Sequence, residues 1–423
     1  MTGDSTVPRR EFVKAAVAIG GGAALAACLD RESVDIPGGR DDLSTLPDRQ
    51  HAWDDFLSTD DHGNPVAPRH HAVWLLDLPG GGPPTESDRE TVERALRGLE
   101  RAYERSNEGL LFTLGYSRFY FDRFDADLPG SVDLPAPEPL SDFEDPELDD
   151  PDAVLHLASD HGSALMAAEE AMRGERSTAN GVEVGAALTD VFDRRERRTG
   201  FVGAGLPADN QDVKGVPDGD PVPDEAPLYM GFKSAFEKNQ ASEDRVTIGE
   251  GPFAGGTTQH LSRIRLRLED WYGEQDRQDR VAEMFCPAHA EEGRVEGVGD
   301  NLGTDSGIDD DCTDRIEDDA RERGRVGHAQ KAARAREDGS PIILRRDFDS
   351  TDGDEAGVHF LSVQRSIEDF VATKRAMNGS DLTDAPAIRT RVNNGTLEYT
   401  FVKRRGNYLL PPRDLRALPD PRP

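Results

Sequence analysis

This chain of 423 residues is short of positive charge: 50 Lys and Arg stand against 83 Asp and Glu, a formal charge of -33. Such a surface repels nucleic acid and anionic membranes, which disfavours a nucleic-acid-binding role. Hydrophobic residues are also few, at 35%. Acidic, weakly hydrophobic chains are often disordered, but periodic apolar segments survive here between the acidic loops, so the chain is read as folded. Dense carboxylates keep a protein soluble where salt screens their repulsion, and the composition points to a halophilic source. Cysteine is nearly missing: there are three, and no CxxC pair occurs.

The N-terminus reads as an address. Arg9-Arg10-Glu11-Phe12-Val13-Lys14 precedes a Gly/Ala-rich segment from Ala15 to Ala27 that is too short for a membrane span. This pattern is similar to the signal of the twin-arginine route, which exports folded proteins. Leu25-Ala26-Ala27-Cys28 resembles a lipobox. Residues 1–27 are therefore expected to be a signal and Cys28 the site of a lipid anchor on the outer face of the cell membrane, a plain cleavage site being the alternative. The membrane would be touched only through that anchor. Residues 28–68, polar, rich in Asp, Gly and Pro, and without period, are read as a tether.

Cys286 and Cys312 remain. Outside the cytoplasm two thiols are normally oxidised, so a disulfide closing the acidic 291–311 loop is expected. A zinc site is the competing reading, because Cys286, His289, Cys312 and His328 make a nominal set of four, although their spacing is not that of a compact zinc motif.

Order begins with a buried strand at His70–Leu78, followed by an amphipathic helix from Thr85 to Tyr103 and a strand at Gly109–Gly115. After a Pro/Asp-rich loop, Ala153–Ala158 reads as a strand and Ser163–Met172 as a helix. The second half echoes this order, with strands at His260–Leu268 and Val358–Gln364 and a helix at Ile367–Met377. Two such successions predict an α+β protein of two halves with antiparallel sheets, not a doubly wound parallel fold.

Between them lies Val326–Phe348. His328 opens an Ala/Arg-rich run without proline, read as helix, which breaks at Asp338-Gly339-Ser340-Pro341. Ile342–Leu344 reads as a short buried strand ending in Arg345 and Arg346. An imidazole and a guanidinium are thereby held on rigid elements one loop apart, a way to place a metal ligand and a fixed positive charge around one pocket. A satisfied histidine and arginines in salt bridges are the alternative.

With these pieces in order, the chain from about His70 onward resembles the dye-decolourising peroxidase family, haem enzymes of two ferredoxin-like halves of dimeric α/β-barrel type. The resemblance lies in GLLFTLGYSRFYFDRF at 109–124, GGTTQHLSRIRLRLEDW at 255–271, GHAQKAAR at 327–334, IILRRDF at 342–348, GVHFLSVQ at 357–364 and NYLLPP at 407–412. It implies an N-terminal half at 69–250 and a C-terminal half at 251–423 that holds heme b. It further implies His328 as ligand to the haem iron, Arg345 as the distal arginine, hydrogen peroxide and small organic electron donors as partners, and leaves a homo-oligomer open. Trp271 and Tyr272 could pass electrons to the surface, or could simply pack in the core.

One departure matters. In Gly200-Phe201-Val202-Gly203-Ala204-Gly205, Gly203 stands where the family places a distal aspartate, and the next carboxylate is Asp209. Peroxidase turnover is therefore expected to be slow, and Gly203→Asp to raise it or shift its pH optimum. Asp347, two residues beyond Arg345 where relatives tend to have Asn or Gly, is read as an ion-pair partner of Arg346. The competing function is a haem-binding or non-catalytic exported lipoprotein that kept the fold and lost the distal acid.

Overall fold

The computed structural model describes residues 35–423. Arg9, Arg10 and Cys28 lie outside the described residues. The N-terminal half runs β1 (His70–Asp77), α1 (Glu86–Ala102), β2 (Leu111–Ser117), β3 (Ala153–Ser159), α2 (Gly162–Met172) and β4 (Asp193–Phe201). Its strands lie side by side in the order β4-β1-β3-β2, all antiparallel. This is the ferredoxin-like arrangement.

The C-terminal half repeats it. β5 (Thr257–Leu266), a long irregular connection that includes α3 (Arg277–Met284) and α4 (His328–Ala332), then β6 (Leu344–Arg345), β7 (Phe348–Ser350), β8 (Gly357–Gln364), α5 (Ile367–Asn378) and β9 (Thr400–Leu410) follow in turn. The order β9-β5-β8-β7 matches the first half strand for strand, with β6 paired to β8 beside β7. β4 pairs β7 through Phe201 and Asp349, and β9 pairs β2 through Tyr408 and Ser117, so the two sheets close into one barrel. The α+β class with two ferredoxin-like halves is thus what the molecule shows.

The chain builds these elements for local reasons. In α1 the Thr85 hydroxyl accepts from the Asp88 N–H while the Asp88 carboxylate accepts from the Thr85 N–H, a capping box that satisfies two free donors. Val92, Leu96 and Leu99 then recur on one face and are fully buried against the sheet. β1 is buried on both faces: Val73 and Leu75 join the cluster of Leu261, Phe348 and Tyr408, while Trp74 and Leu76 join the core under the helices.

β4 carries no apolar alternation, since Asp193–Arg198 is wholly charged. Tertiary ion pairs make the strand tenable: Arg197 binds Glu169, and the buried Arg198 binds Asp149 and Glu196. Such a strand cannot be found by hydrophobic period.

Two expectations are corrected. Residues 35–68 are not a loose tether. The Gln50 amide donates to Leu114 O and Pro411 O, and Trp53 is buried, so this stretch is strapped to the body by side-chain bonds to main chain that leave no period in the sequence. A division at 250/251 also does not separate the packing. Leu206, Val222, Tyr229, Phe232 and Phe236 share a core with Leu266, Trp271, Phe285 and Tyr399, so the segment before residue 250 belongs in part with the second half. Among the described residues no helix is long and apolar enough to cross a membrane.

Candidate functional site

In the C-terminal half a cavity of about 230 Å³, partly open to solvent, lies between the sheet and the long β5–β6 connection. Its walls are mainly apolar, with Leu228, Met230, Ile264, Leu266, Val358 and Phe360 among them. Ligand pockets commonly combine apolar walls with a few polar groups. Here those groups include His328, Arg345, Asp347, Asp349, Lys374 and Arg405.

His328 is the first residue of α4. Its turn sits against Phe285 so closely that a Cβ on Gly327 would come 1.8 Å from Phe285 O, which only glycine allows. The Gln330 side chain accepts from Gly327 N–H and donates to Cys312 O and Asp319, fixing the same turn. The His328 Nδ1 lies 3.2 Å from the Thr396 hydroxyl, and among the described residues no hydrogen bond is made to Nε2. Burial first, then the charges of Lys331, Arg345 and Lys374, push its pKa down to about 3. The ring is therefore neutral at ordinary pH, as a metal-binding imidazole must be.

Arg345 ends β6, paired to Ser362. The Gln240 side chain clamps its backbone twice, accepting from Arg345 N–H and donating to its C=O. Among the described residues the guanidinium has no hydrogen bond or ion pair; it lines the cavity, where its charge acts on Asp347.

From here the extended chain through β6, a two-residue link and β7 carries polar groups to the cavity at every second residue. Arg345, Asp347 and Asp349 all line it, while Arg346 turns the other way. Arg346 lies over the Trp53 ring at 4.3 Å and binds Glu243. Asp347 is therefore not its ion-pair partner, contrary to the expectation from sequence, because these two residues of the extended link between β6 and β7 face opposite sides. One Asp347 oxygen accepts from Leu361 N–H. Burial raises its pKa to about 6, against the pull of Arg345 and that hydrogen bond. Asp349 accepts from Tyr229 N–H and is pushed well above the usual carboxylate range by burial. Lys374 and Arg405 share the carboxylate of Glu144. Two cations on one anion leave surplus positive charge at that end of the cavity.

The Gly203 loop does not reach this site. Neither Gly203 nor Asp209 lines the cavity; Asp209 is exposed and borders a separate acidic cleft with Asp212, Asp218 and Asp220. Trp271 is fully buried, donating to Met230 O and packing on Tyr399. Cys286 and Cys312 are joined by a disulfide, with His289 beside them, and His328 stands outside that group, so the nominal set of four does not assemble. Sequence reasoning assigned no part in the site to Asp347, Asp349, Lys374, Arg405 or the 228–239 wall. The period-two spacing of Arg345, Asp347 and Asp349 was the signal that could have revealed the acids.

Residues 68–412 match a family described as a family of unknown function (DUF7405), and the chain belongs to it. No curated protein matches the chain. Among solved structures, a variant of DypB from Rhodococcus jostii RHA1 in complex with heme is 15% identical, with a TM-score of 0.56 over 87% of this chain and 99% of that one. The dye-decolorizing protein from V. cholerae is 12% identical, with a TM-score of 0.52 over 84% and 97%. An encapsulated DyP-type peroxidase from Mycobacterium smegmatis is 14% identical, with a TM-score of 0.52 over 85% and 97%. The likeness is one of fold.

Proposed function

We propose that this protein is a haem-dependent peroxidase of the dye-decolourising type in which Asp347 does the work of the missing distal aspartate. One observation carries the reading: a neutral imidazole with Nε2 free of hydrogen bonds, an unpaired arginine and a carboxyl group of raised pKa line a single, mostly apolar cavity. The residues fit haem. The apolar walls suit a macrocycle, His328 suits its iron, and the surplus charge of Lys374 and Arg405 suits its carboxylates.

When bound, haem would supply the iron on which hydrogen peroxide is reduced and the oxidising equivalents that organic donors then consume. His328 would hold that iron through Nε2. Its Nδ1 faces the Thr396 hydroxyl instead of a carboxylate, which makes the imidazole less electron-rich than a carboxylate partner would. Arg345 would stabilise the negative charge that grows on the departing oxygen. Asp347, ionised above about pH 6, would take the peroxide proton on one carboxylate oxygen while the other keeps its bond to Leu361 N–H. The twin arginines and Cys28 support export in folded form and a lipid anchor on the outer face of the membrane.

A haem-binding protein without turnover is the second reading, favoured by the lack of a carboxylate on His328 among the described residues. Both readings require haem, so the first test is spectroscopic. The protein titrated with hemin in high salt should saturate at one per chain with a sharp Soret band, and His328→Ala should lose or greatly weaken it. An identical titration for His328→Ala would sink the assignment. Reaction with peroxide then separates the two readings.

A further inference from the structure

On the far side of the His328 turn, Cys286, His289 and Cys312 are all buried, and one donor atom from each lies within 4.8 Å of the others. The His289 Nδ1 is 3.1 Å from the Cys286 sulfur and 3.7 Å from that of Cys312. Its other nitrogen, Nε2, is 2.8 Å from Ser306 O. A carbonyl only accepts, so Nε2 carries the ring's proton and Nδ1 presents a lone pair to the two sulfurs. Disulfide sulfurs have no hydrogen to donate. In the oxidised protein this buried acceptor is therefore left without a donor, an arrangement that costs free energy and that a structural disulfide does not need.

The same geometry is what a metal-binding histidine shows: one nitrogen tied to a carbonyl that fixes ring and tautomer, the other aimed at the remaining ligands. Zinc bonds of about 2.3 Å to sulfur and 2.0 Å to nitrogen place tetrahedral nitrogen and sulfur ligands roughly 3.5 Å apart and two sulfurs roughly 3.8 Å apart. The nitrogen already stands near those separations from both sulfurs. Only the bond between the sulfurs has to open.

We propose that Cys286, His289 and Cys312 form, in the reduced protein, a three-ligand site for a divalent cation of the zinc type, with the fourth position open. The disulfide and the metal are alternative states of the same side chains. A phosphine reductant with one water converts the disulfide to two thiols and is itself oxidised to the phosphine oxide. The cation then replaces the two thiol protons and accepts the Nδ1 lone pair. Either state ties the Phe285–Cys286 segment to Cys312, whose carbonyl holds Gln330, so either state braces the turn that carries His328.

The test uses the full chain without added haem, reduced by phosphine under anaerobic conditions and titrated with Co²⁺. One cobalt per chain should bind, with thiolate-to-cobalt charge-transfer absorption in the near ultraviolet, and Zn²⁺ should displace it. His289→Ala keeps both thiols and should still form the disulfide on oxidation, which peptide mapping confirms. Its cobalt affinity should fall by about 100-fold or more, the upper end for loss of even an outer partner of a metal. No thiolate-to-cobalt band in the reduced wild type overturns the proposal. Equal affinity in His289→Ala also overturns it, because two thiols alone would then account for the binding.

Discussion

The two halves of the barrel share one strand order yet treat their crossovers differently. In the N-terminal half β1 and β2 are joined by a single amphipathic helix, α1, whose Val92, Leu96 and Leu99 seal the sheet. The equivalent connection in the C-terminal half, residues 267–343, is broken into short helices and turns that stand around a cavity. The second crossover helices differ in the same sense. α2 buries Ala164, Leu165, Ala168 and Met172 in solid core, whereas α5 puts Phe370, Lys374 and Met377 on the cavity wall. Identical topology thus frames solid core on one side and a cavity on the other, and lengthening one connection makes the difference.

Breaking the site side should cost most. In the haem-loaded protein Arg345→Leu should keep the cofactor but slow the reaction with peroxide by about 10²–10³-fold, the usual effect of deleting one focused charge in a dry site. Stopped-flow mixing with peroxide measures this, and an unchanged rate would show that the unpaired guanidinium serves something else.

Asp347→Asn probes the same extended stretch and should act in two ways. The peroxide rate should fall by about 10²-fold, and the rise of rate with pH centred near 6 should disappear. Stability should move the opposite way. The folded pKa, about 6, lies above the ordinary value of 3.8, so folding favours the neutral acid. The benefit is whole below about pH 4 and is lost as pH climbs through 6. In the haem-free protein Asn should therefore match wild type below pH 4 and exceed it above pH 6, by on the order of 1–3 kcal/mol, less where cavity water solvates the carboxylate. A variant that loses activity without this crossover in its melting profile would place Asp347 in a setting unlike the one described.

The other half sharpens the comparison. Leu96→Ala removes a fully buried side chain from the α1 seam and should cost about 2–5 kcal/mol in denaturant unfolding. Haem titration and peroxide rate at low temperature should stay as in wild type. A loss of haem binding would mean that the halves are not mechanically separable.

What could be read from sequence follows the same division. α1, β1, β2, β3 and α2 emerge near their observed limits because apolar period, a capping threonine and flanking turns all agree. β4 was invisible because ion pairs with Glu169 and Asp149, far away in sequence, support its charges. At the site, His328 and Arg345 were legible from local context and from the resemblance, and the structure brings both to one cavity. Asp347 was misread because its partner was sought in the neighbouring residue, when alternation along the extended chain sends Arg346 to Trp53 and Asp347 to Arg345's side. The strap at 35–68 went unread because side-chain bonds to backbone, such as those of Gln50, leave no periodic mark.

The smallest expected effect concerns Gly203, where the sequence pattern pointed to a missing catalytic acid and restoring it was expected to raise turnover. The fold argues against that. Gly203 has φ +116 and donates its N–H to Pro227 O, in a loop that contributes nothing to the cavity. The nearest atom to a Cβ built there is Arg69 Nη1, at 3.5 Å, so a new carboxylate would pair with Arg69 instead of with peroxide. An L side chain at such a φ is strained by roughly 1–3 kcal/mol. Gly203→Asp should accordingly lower the melting temperature by a few degrees and leave the peroxide rate and its pH dependence as in wild type. A gain in rate would mean that the loop can swing into the cavity and that Asp347 shares its role. No gain, together with the loss in Asp347→Asn, would place the acid two residues beyond Arg345, on the same side of the extended chain.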